Sequence, residues 1–281
     1  MTAKRMLLSF AHPDDETFGM GGVIAKYAHE GVEISLICST QGDRGTIPPE
    51  FLERHGSVSA VRYAELECAA QKLGIQQLFR LGYSDSGMMG TPDNDHPDCL
   101  WQANEEEVVS KIVAVIRQVK PQIVVTFDAF GGYGHPDHIF MYRTTTKAFF
   151  AAGDAAQYPD AGPAYAPQKL YYMPAKKLLI GLGVIRSLIQ RQNPRKIGAN
   201  RDIDLIAILQ NVPPTHTTIQ VGKFLEIWDE ANRCHASQWQ QPPMRKWLRQ
   251  LIYSGQSFVR VAPKTSRWGR RETDFFAEVQ I

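Results

Sequence analysis

The chain is predicted to fold as an α/β protein: a Rossmann-like, mainly parallel sheet with helices on both faces, plus a smaller carboxyl-terminal elaboration. Two observations predict it. Short apolar runs alternate with helix-length amphipathic segments through the first part of the 281-residue chain. Two of those runs, Met6-Leu7-Leu8 and Ile123 to Phe127, lead straight into turns crowded with histidine and carboxylate. Open sheets of this class bind ligands beyond the carboxyl ends of their strands, so both turns point to one functional edge.

The first run ends a strand at about Phe10, turns at Pro13 and enters a helix near Glu16 that closes at Gly31. Its turn reads Ala11-His12-Pro13-Asp14-Asp15-Glu16. A second strand over Val32 to Cys38 opens into the polar loop Ser39 to Gly45, which is expected to border the pocket. A helix from Ser57 to Leu73 carries Arg62 and Glu65 at i, i+3, a spacing that by itself describes a surface ion pair. A short strand over Ile75 to Arg80 is followed by a loop that brings Asp85 to the same edge. His96-Pro97-Asp98 follows no strand and reads as surface or lid loop. Glu105 to Lys120 is an amphipathic helix with an acidic first turn, stopped by Pro121 before the strand at Ile123. That strand runs into Tyr133-Gly134-His135-Pro136-Asp137-His138, then a helix from Ile139 to Ala152 and a strand over Gln168 to Met173.

The two clusters are placed to meet. If their strands share a parallel sheet, His12, Asp15 and His138 converge on one ion, and two imidazoles with one carboxylate and an open position form a catalytic zinc pattern. The glycines after the first strand do not spell a dinucleotide fingerprint, and acidic residues stand where a pyrophosphate would sit.

Residues 1–175 are therefore read as the catalytic core carrying the metal site, and residues 176–281 as a lid or substrate-binding part packed on it. Within the latter, residues 176–201 are read as a lid or an oligomer contact ahead of a membrane-facing patch. Gly222 to His235 and a segment from Pro242-Pro243 to Tyr253 are expected helices; Phe258 to Val261 and Phe275 to Ile281 are expected late strands.

Composition is that of a globular protein, 43% hydrophobic and 21% charged. The net charge of +2 conceals −8 over residues 1–140 and +10 over residues 141–281. The basic half lacks an aromatic stacking motif, so nucleic acid is not expected as a partner. Cys38, Cys68, Cys99 and Cys234 are widely spaced with no Cys-x-x-Cys pair, and all are expected reduced. No apolar stretch is long enough to span a bilayer, and no signal peptide precedes the first strand, so a cytoplasmic location is expected.

The motifs Ala11 to Glu16 and Gly134 to His138, with Thr40 to Gly45, the Arg62-x-x-Glu65 helix, Asp85-Ser86-Gly87-Met88 and His235-Ala236-Ser237-Gln238, resemble the PIG-L or LmbE-like family of zinc-dependent N-acetylglucosaminyl de-N-acetylases. The resemblance implies a hydrolase that removes an acetyl group from an N-acetylated amino sugar, with His12, Asp15 and His138 on the metal and Asp14 as general base. It casts His135 as the cation that stabilises the oxyanion, Asp137 as the group that orients it, and Tyr133 at the pocket mouth. It turns Arg62 and Asp85 toward the sugar; His235 lies in one of the motifs without a derived role, and packing is preferred to catalysis for it. Zinc is the implied cofactor, with iron compatible; the partner is a small amino sugar, and the oligomeric state stays open. Two alternatives are an amidase acting on a larger thiol-sugar conjugate and a carbohydrate-binding protein whose metal is structural.

Overall fold

The computed structural model describes residues 3–198, 200–238, 244–264 and 271–281. In chain order, β1 (Arg5–Phe10) leads into α1 (Asp15–His29), and β2 (Glu33–Thr40) into α2 (Pro49–His55) and α3 (Val58–Leu73). Next come β3 (Gln77–Tyr83), α4 (Glu105–Val119), β4 (Ile123–Phe127), the single turn α5 (Gly131–Gly134) and α6 (Pro136–Ala151). The remainder comprises β5 (Lys169–Met173), α7 (Lys177–Ile189), α8 (Leu205–Asn211), β6 (Thr217–Gln220), α9 (Leu225–Cys234), α10 (Lys246–Tyr253) and β7 (Gly255–Ala262).

The seven strands form one sheet in the order β3-β2-β1-β4-β5-β7-β6. The first five are parallel, whereas β7 pairs antiparallel with both β5 and β6. Strand order reverses between β1 and β4, and a crevice opens at the carboxyl ends of strands flanking such a switch point. Register makes the two ends level, since Met6, Leu7 and Leu8 pair with Ile123, Val124 and Val125. The turns after Phe10 and Phe127 therefore emerge side by side. Both strands are buried on both faces, which explains why they are apolar but for the hydroxyls Ser9 and Thr126.

Helix α9 closes over α1 because Gly21 has no side chain. A Cβ there would lie 2.3 Å from Cδ1 of Trp228, whose indole Nε1 donates to the Thr17 carbonyl at 2.6 Å. Packing of α3 on α9 brings Cys68 and Cys234, 166 residues apart, to a Cα–Cα distance of 5.6 Å, and they are disulfide-bonded. This corrects the expectation of four free thiols; spacing along the chain cannot reveal a pair that only helix packing creates.

The remaining differences from expectation concern shorter segments. β6, α2 and α8 carry no periodic signal long enough to be read beforehand. The segment from Phe275 to Ile281 is not a strand: Phe275 and Phe276 are buried in a turn, where Phe275 stacks on Tyr171 with centroids 4.2 Å apart. Pro242-Pro243, expected to begin a helix, lies outside the described residues, and α10 starts at Lys246.

The carboxyl-terminal segment is tied to the sheet by Glu272. Its carboxylate accepts from Lys169 Nζ at 2.6 Å, Tyr171 Oη at 2.7 Å and Thr217 Oγ1 at 2.7 Å. Burial would raise this carboxyl, but Lys169 and the two hydroxyls outweigh it and hold it below the usual range. A carboxylate held low in the folded state stabilises above its unfolded value and loses that contribution as pH falls through the folded one. We predict that Glu272→Gln costs about 3–5 kcal/mol at neutral pH by leaving Lys169 buried and unpaired. Urea titrations should find the loss shrinking below about pH 4, where wild type protonates the same group.

Candidate active site

Each functional turn is held by its own strand and helix. After β1, His12, Asp14 and Asp15 sit where the chain bends into α1. Asp14 carries φ 111°, a left-handed conformation that a residue with a side chain adopts at a cost of about 1–3 kcal/mol. The strain is held from two sides. The Asp14 amide donates to Glu16 Oε2 at 3.0 Å, and its carbonyl accepts from the amides of Thr17 and Phe18 at 3.0 and 2.9 Å. Glu16 is in turn bonded through Oε1 to His235 Nε2 at 2.7 Å, both side chains being fully buried. His235 thus does more than pack: it anchors the carboxylate that sets the Asp14 backbone.

After β4, the Asp128 carboxylate accepts from the amides of Phe130 and Gly132 at 3.0 and 3.1 Å and shapes the glycine turn. The Gly131 carbonyl faces His138 Nδ1 at 3.1 Å. Only glycine fits there, since φ is +66° and a Cβ would lie 2.9 Å from the His138 Cβ. His135 caps α6, its Nδ1 accepting from the Asp137 amide at 3.2 Å.

The two turns meet as the register requires. His12 Nδ1 and His138 Nε2 are 3.0 Å apart. The Asp15 carboxylate lies 3.6 Å from the former and 3.3 Å from the latter. The outer nitrogen of each ring is engaged elsewhere: His12 Nε2 faces Asp137 Oδ2 at 3.1 Å, and His138 Nδ1 faces the Gly131 carbonyl. In neutral rings those outer nitrogens carry the protons, which leaves two lone pairs aimed at one point beside a carboxylate. A tetrahedral ion with bonds of about 2.0–2.1 Å separates its ligand atoms by about 3.3 Å, so the donor set fits a divalent metal. The surrounding carboxylates favour positive charge at this point, either a proton on a ring or an ion in its place. Burial alone would depress the His12 imidazole, but Asp85, Asp137 and Asp15 raise it well above its usual value. Asp15 is held far below the carboxylate range by His138 and His12, against its own burial.

The Asp137 carboxylate therefore faces His12 more closely than His135, which Asp137 meets through its amide. Its Oδ2 stands 4.0 Å from His135 Nδ1, and its carboxylate is fixed by the Ser86 amide at 3.0 Å and the Ser86 hydroxyl. His135, expected as a cation, sits where burial and the neighbouring His12 and His138 hold its imidazole well below the usual value. With Nδ1 accepting, the proton lies on Nε2, 3.7 Å from Asp85 Oδ1. His135 does join His12 and His138 in a cluster whose nitrogens lie within 4.8 Å of one another.

Arg62 is buried rather than exposed, and it does not pair with Glu65. Its Nη2 donates to the Pro13 carbonyl and to Asp14 Oδ2, the latter at 3.1 Å, while Glu65 accepts from the amide and hydroxyl of Ser237, both at 2.7 Å. Burial pushes the Asp14 carboxyl up to about 6, with Arg62 opposing and Asp15 adding to the rise. Asp85 accepts from the Gly87 amide at 2.8 Å and stands 3.6 Å from His12 Nε2.

Two clefts meet at Asp14 and Tyr133. One, of about 450 Å³, is polar and is lined by Arg44, Arg62, Asp85, His135 and Gln238, so the loop after β2 does border it. The other, of about 530 Å³, is apolar and passes Phe18, Met173, Leu179, Trp228 and Tyr253 to reach Asp15 and His138. His96 and Asp98 line neither; they lie in the loop after β3. Sequence reading did not find Glu16, Ser86 and Asp128 as supports. Glu16 stood in the first cluster and Ser86 in the motif Asp85 to Met88, whereas Asp128 carried no signal.

Known proteins resemble the chain in sequence and in fold. A deacetylase from Thermobifida fusca, named for 1D-myo-inositol 2-acetamido-2-deoxy-α-D-glucopyranoside, is 38% identical over 247 residues, which cover 85% of this chain and 84% of that protein. Among solved structures, N,N'-diacetylchitobiose deacetylase from Pyrococcus horikoshii aligns over 92% of this chain and 84% of its own, with TM-score 0.62 and 20% identity. A 4-carboxy-2-hydroxymuconate hydratase from Pseudomonas putida aligns over 94% and 98% with TM-score 0.59 and 16% identity, so likeness at this level describes the fold alone. The PIG-L family, described as GlcNAc-PI de-N-acetylase, matches residues 7–149, the span that holds both histidine clusters, and the chain belongs to that family.

Proposed function

We propose that the protein is a zinc-dependent deacetylase that hydrolyses the acetamide of an N-acetylated amino sugar carried as a glycoside, releasing acetate and the free amine. The observation that supports it most is the pair of inward imidazole lone pairs beside Asp15, with Asp14 on the adjoining residue at the junction of the two clefts. The name of the Thermobifida relative favours acetyl over a larger amide conjugate.

His12, Asp15 and His138 would hold the ion. Two imidazoles and one carboxylate suit zinc, and iron accepts the same donors. Such an ion, when bound, brings the pKa of water toward 7 and polarises the amide carbonyl. Asp14 takes the proton of the attacking water, as a base whose pKa lies near neutrality can. The water oxygen bonds to the carbonyl carbon, and the developing oxyanion accepts from His135 Nε2–H, a neutral donor. As the carbon–nitrogen bond breaks, Asp14 hands its proton to the leaving amine. The Tyr133 hydroxyl contributes at the mouth, where the ring is 37% exposed. Arg62, Asp85 and Arg44 in the polar cleft offer charged partners to sugar hydroxyls.

The test is amine release from N-acetylglucosamine and its glycosides, among them the inositol glycoside, by metal-stripped protein before and after zinc is returned. Turnover that appears only with metal supports the reading; a tightly bound metal with no turnover on any sugar favours a structural metal in a binding protein. A further expected result concerns Asp137. Asp137→Asn should weaken metal affinity by about 10–100-fold, as loss of a group supporting a ligand histidine does, and competition with a chelator will measure it.

A further inference from the structure

Helix α7 is apolar on the side it turns to solvent. Leu178, Leu182, Ile185 and Ile189, at i, i+4, i+7 and i+11, are 75%, 52%, 55% and 77% exposed. Its other side is apolar too: Leu179 and Ile180 line the apolar cleft and Val184 is buried. A helix apolar on opposite faces normally has a partner on each, and this one has solvent along a whole stripe. Helix α10 repeats the pattern, with Trp247 and Leu251, i and i+4, 64% and 73% exposed. The two helices flank one cleft, since Tyr253 of α10 lines it and Lys176, ahead of α7, donates to the carbonyls of Ile252 and Gly255 at 3.3 and 3.0 Å.

Charge decides what would cover this face. Residues 176–201 hold seven Lys and Arg and no acid, and residues 244–253 hold three and none. Lys177, Arg186, Arg191, Arg245 and Lys246 are exposed beside the apolar stripes. Arg195 pairs with Asp204, Arg249 with Asp229, and Lys246 lies 3.9 Å from Glu226. Leucine, isoleucine and tryptophan bordered by cations are the composition of helices that lie in a bilayer interface. At 13 residues α7 is too short to span one, and no helix among the described residues is long and apolar enough to do so.

We propose that the exposed faces of α7 and α10 form a docking surface for an anionic phospholipid bilayer. The stripe enters the acyl boundary while the flanking cations meet lipid headgroups. The docked face adjoins the apolar cleft that ends at Asp15 and His138, so an amphiphilic molecule could pass between bilayer and cleft without exposing its apolar part to water.

The test is sedimentation of the full chain with phosphatidylcholine vesicles, alone or with about one-third phosphatidylglycerol. The expected result is binding to the anionic vesicles, at least about tenfold weaker on the neutral ones and weakened by salt. Leu182→Glu with Ile185→Glu should lower that binding by at least about tenfold at an unchanged Tm. Should that variant not fold, Lys177→Glu with Arg186→Glu, which leaves the apolar stripe intact, should lower it in the same direction. Absence of binding to anionic vesicles, or binding that neither pair of substitutions reduces, overturns the proposal. A wild-type dimer that the glutamates split, with no affinity for vesicles, also overturns it and assigns the face to a second copy of the chain.

Discussion

Asp14→Asn should lower kcat by about 10²–10⁴-fold with metal content unchanged, because the substitution removes the proposed proton acceptor and leaves the proposed ligands His12, Asp15 and His138 in place. The loss amounts to about 3–5 kcal/mol of transition-state stabilisation. Asparagine keeps the shape that the left-handed backbone requires and retains an oxygen for Arg62, so a folding defect would not mimic the result. Wild-type activity should rise with pH as Asp14 loses its proton. That limb lies at about 6 or below, since a cation beside Asp15 favours the carboxylate further. Arg62→Gln removes the charge that holds Asp14 down and should move the limb to higher pH, whereas a purely structural Arg62 would change activity equally at every pH. Metal analysis, single-turnover rates and a pH profile separate these outcomes. Retention of near wild-type kcat by the Asp14 variant would transfer the base to another group.

His138→Ala has the larger effect on the metal. It removes one of two imidazole donors, so affinity should fall by more than the roughly 10–100-fold expected when a supporting group such as Asp137 is lost. Activity at ordinary metal concentrations should then be undetectable. The variant also frees Asp15, which His138 holds far below the carboxylate range, and that carboxyl should rise toward its usual value. His135→Ala provides the contrast. If His135 donates to the oxyanion, metal content should be unchanged while kcat falls by about 10²–10³-fold. Equal loss of metal from both variants would place His135 among the ligands.

Much of this arrangement was legible in the sequence. Apolar runs with period-breaking turns marked β1, β2, β4 and β5, because strands buried in the middle of a sheet are mostly apolar and admit only hydroxyls that find a partner inside, as Ser9 and Thr126 do. The dense clusters after β1 and β4 announced an edge rich in donors, and right-handed crossovers in a parallel sheet leave little choice about which edge that is. What only the tertiary structure decided were pairings between segments far apart in the chain. Arg62 reads as a surface residue by helical spacing, yet the packing of α3 under the first turn delivers it to Asp14. Asp137 stands beside His135 in sequence but, as a residue in the first turn of α6, turns its carboxylate to His12. His235 and Cys234, more than 200 and 160 residues from Glu16 and Cys68, meet them because Gly21 lets α9 close on α1. Local periodicity records which face of an element is buried; it holds no record of which distant side chain the buried face will meet, and in this protein those meetings set the charge, orientation and reach of the groups proposed to be catalytic.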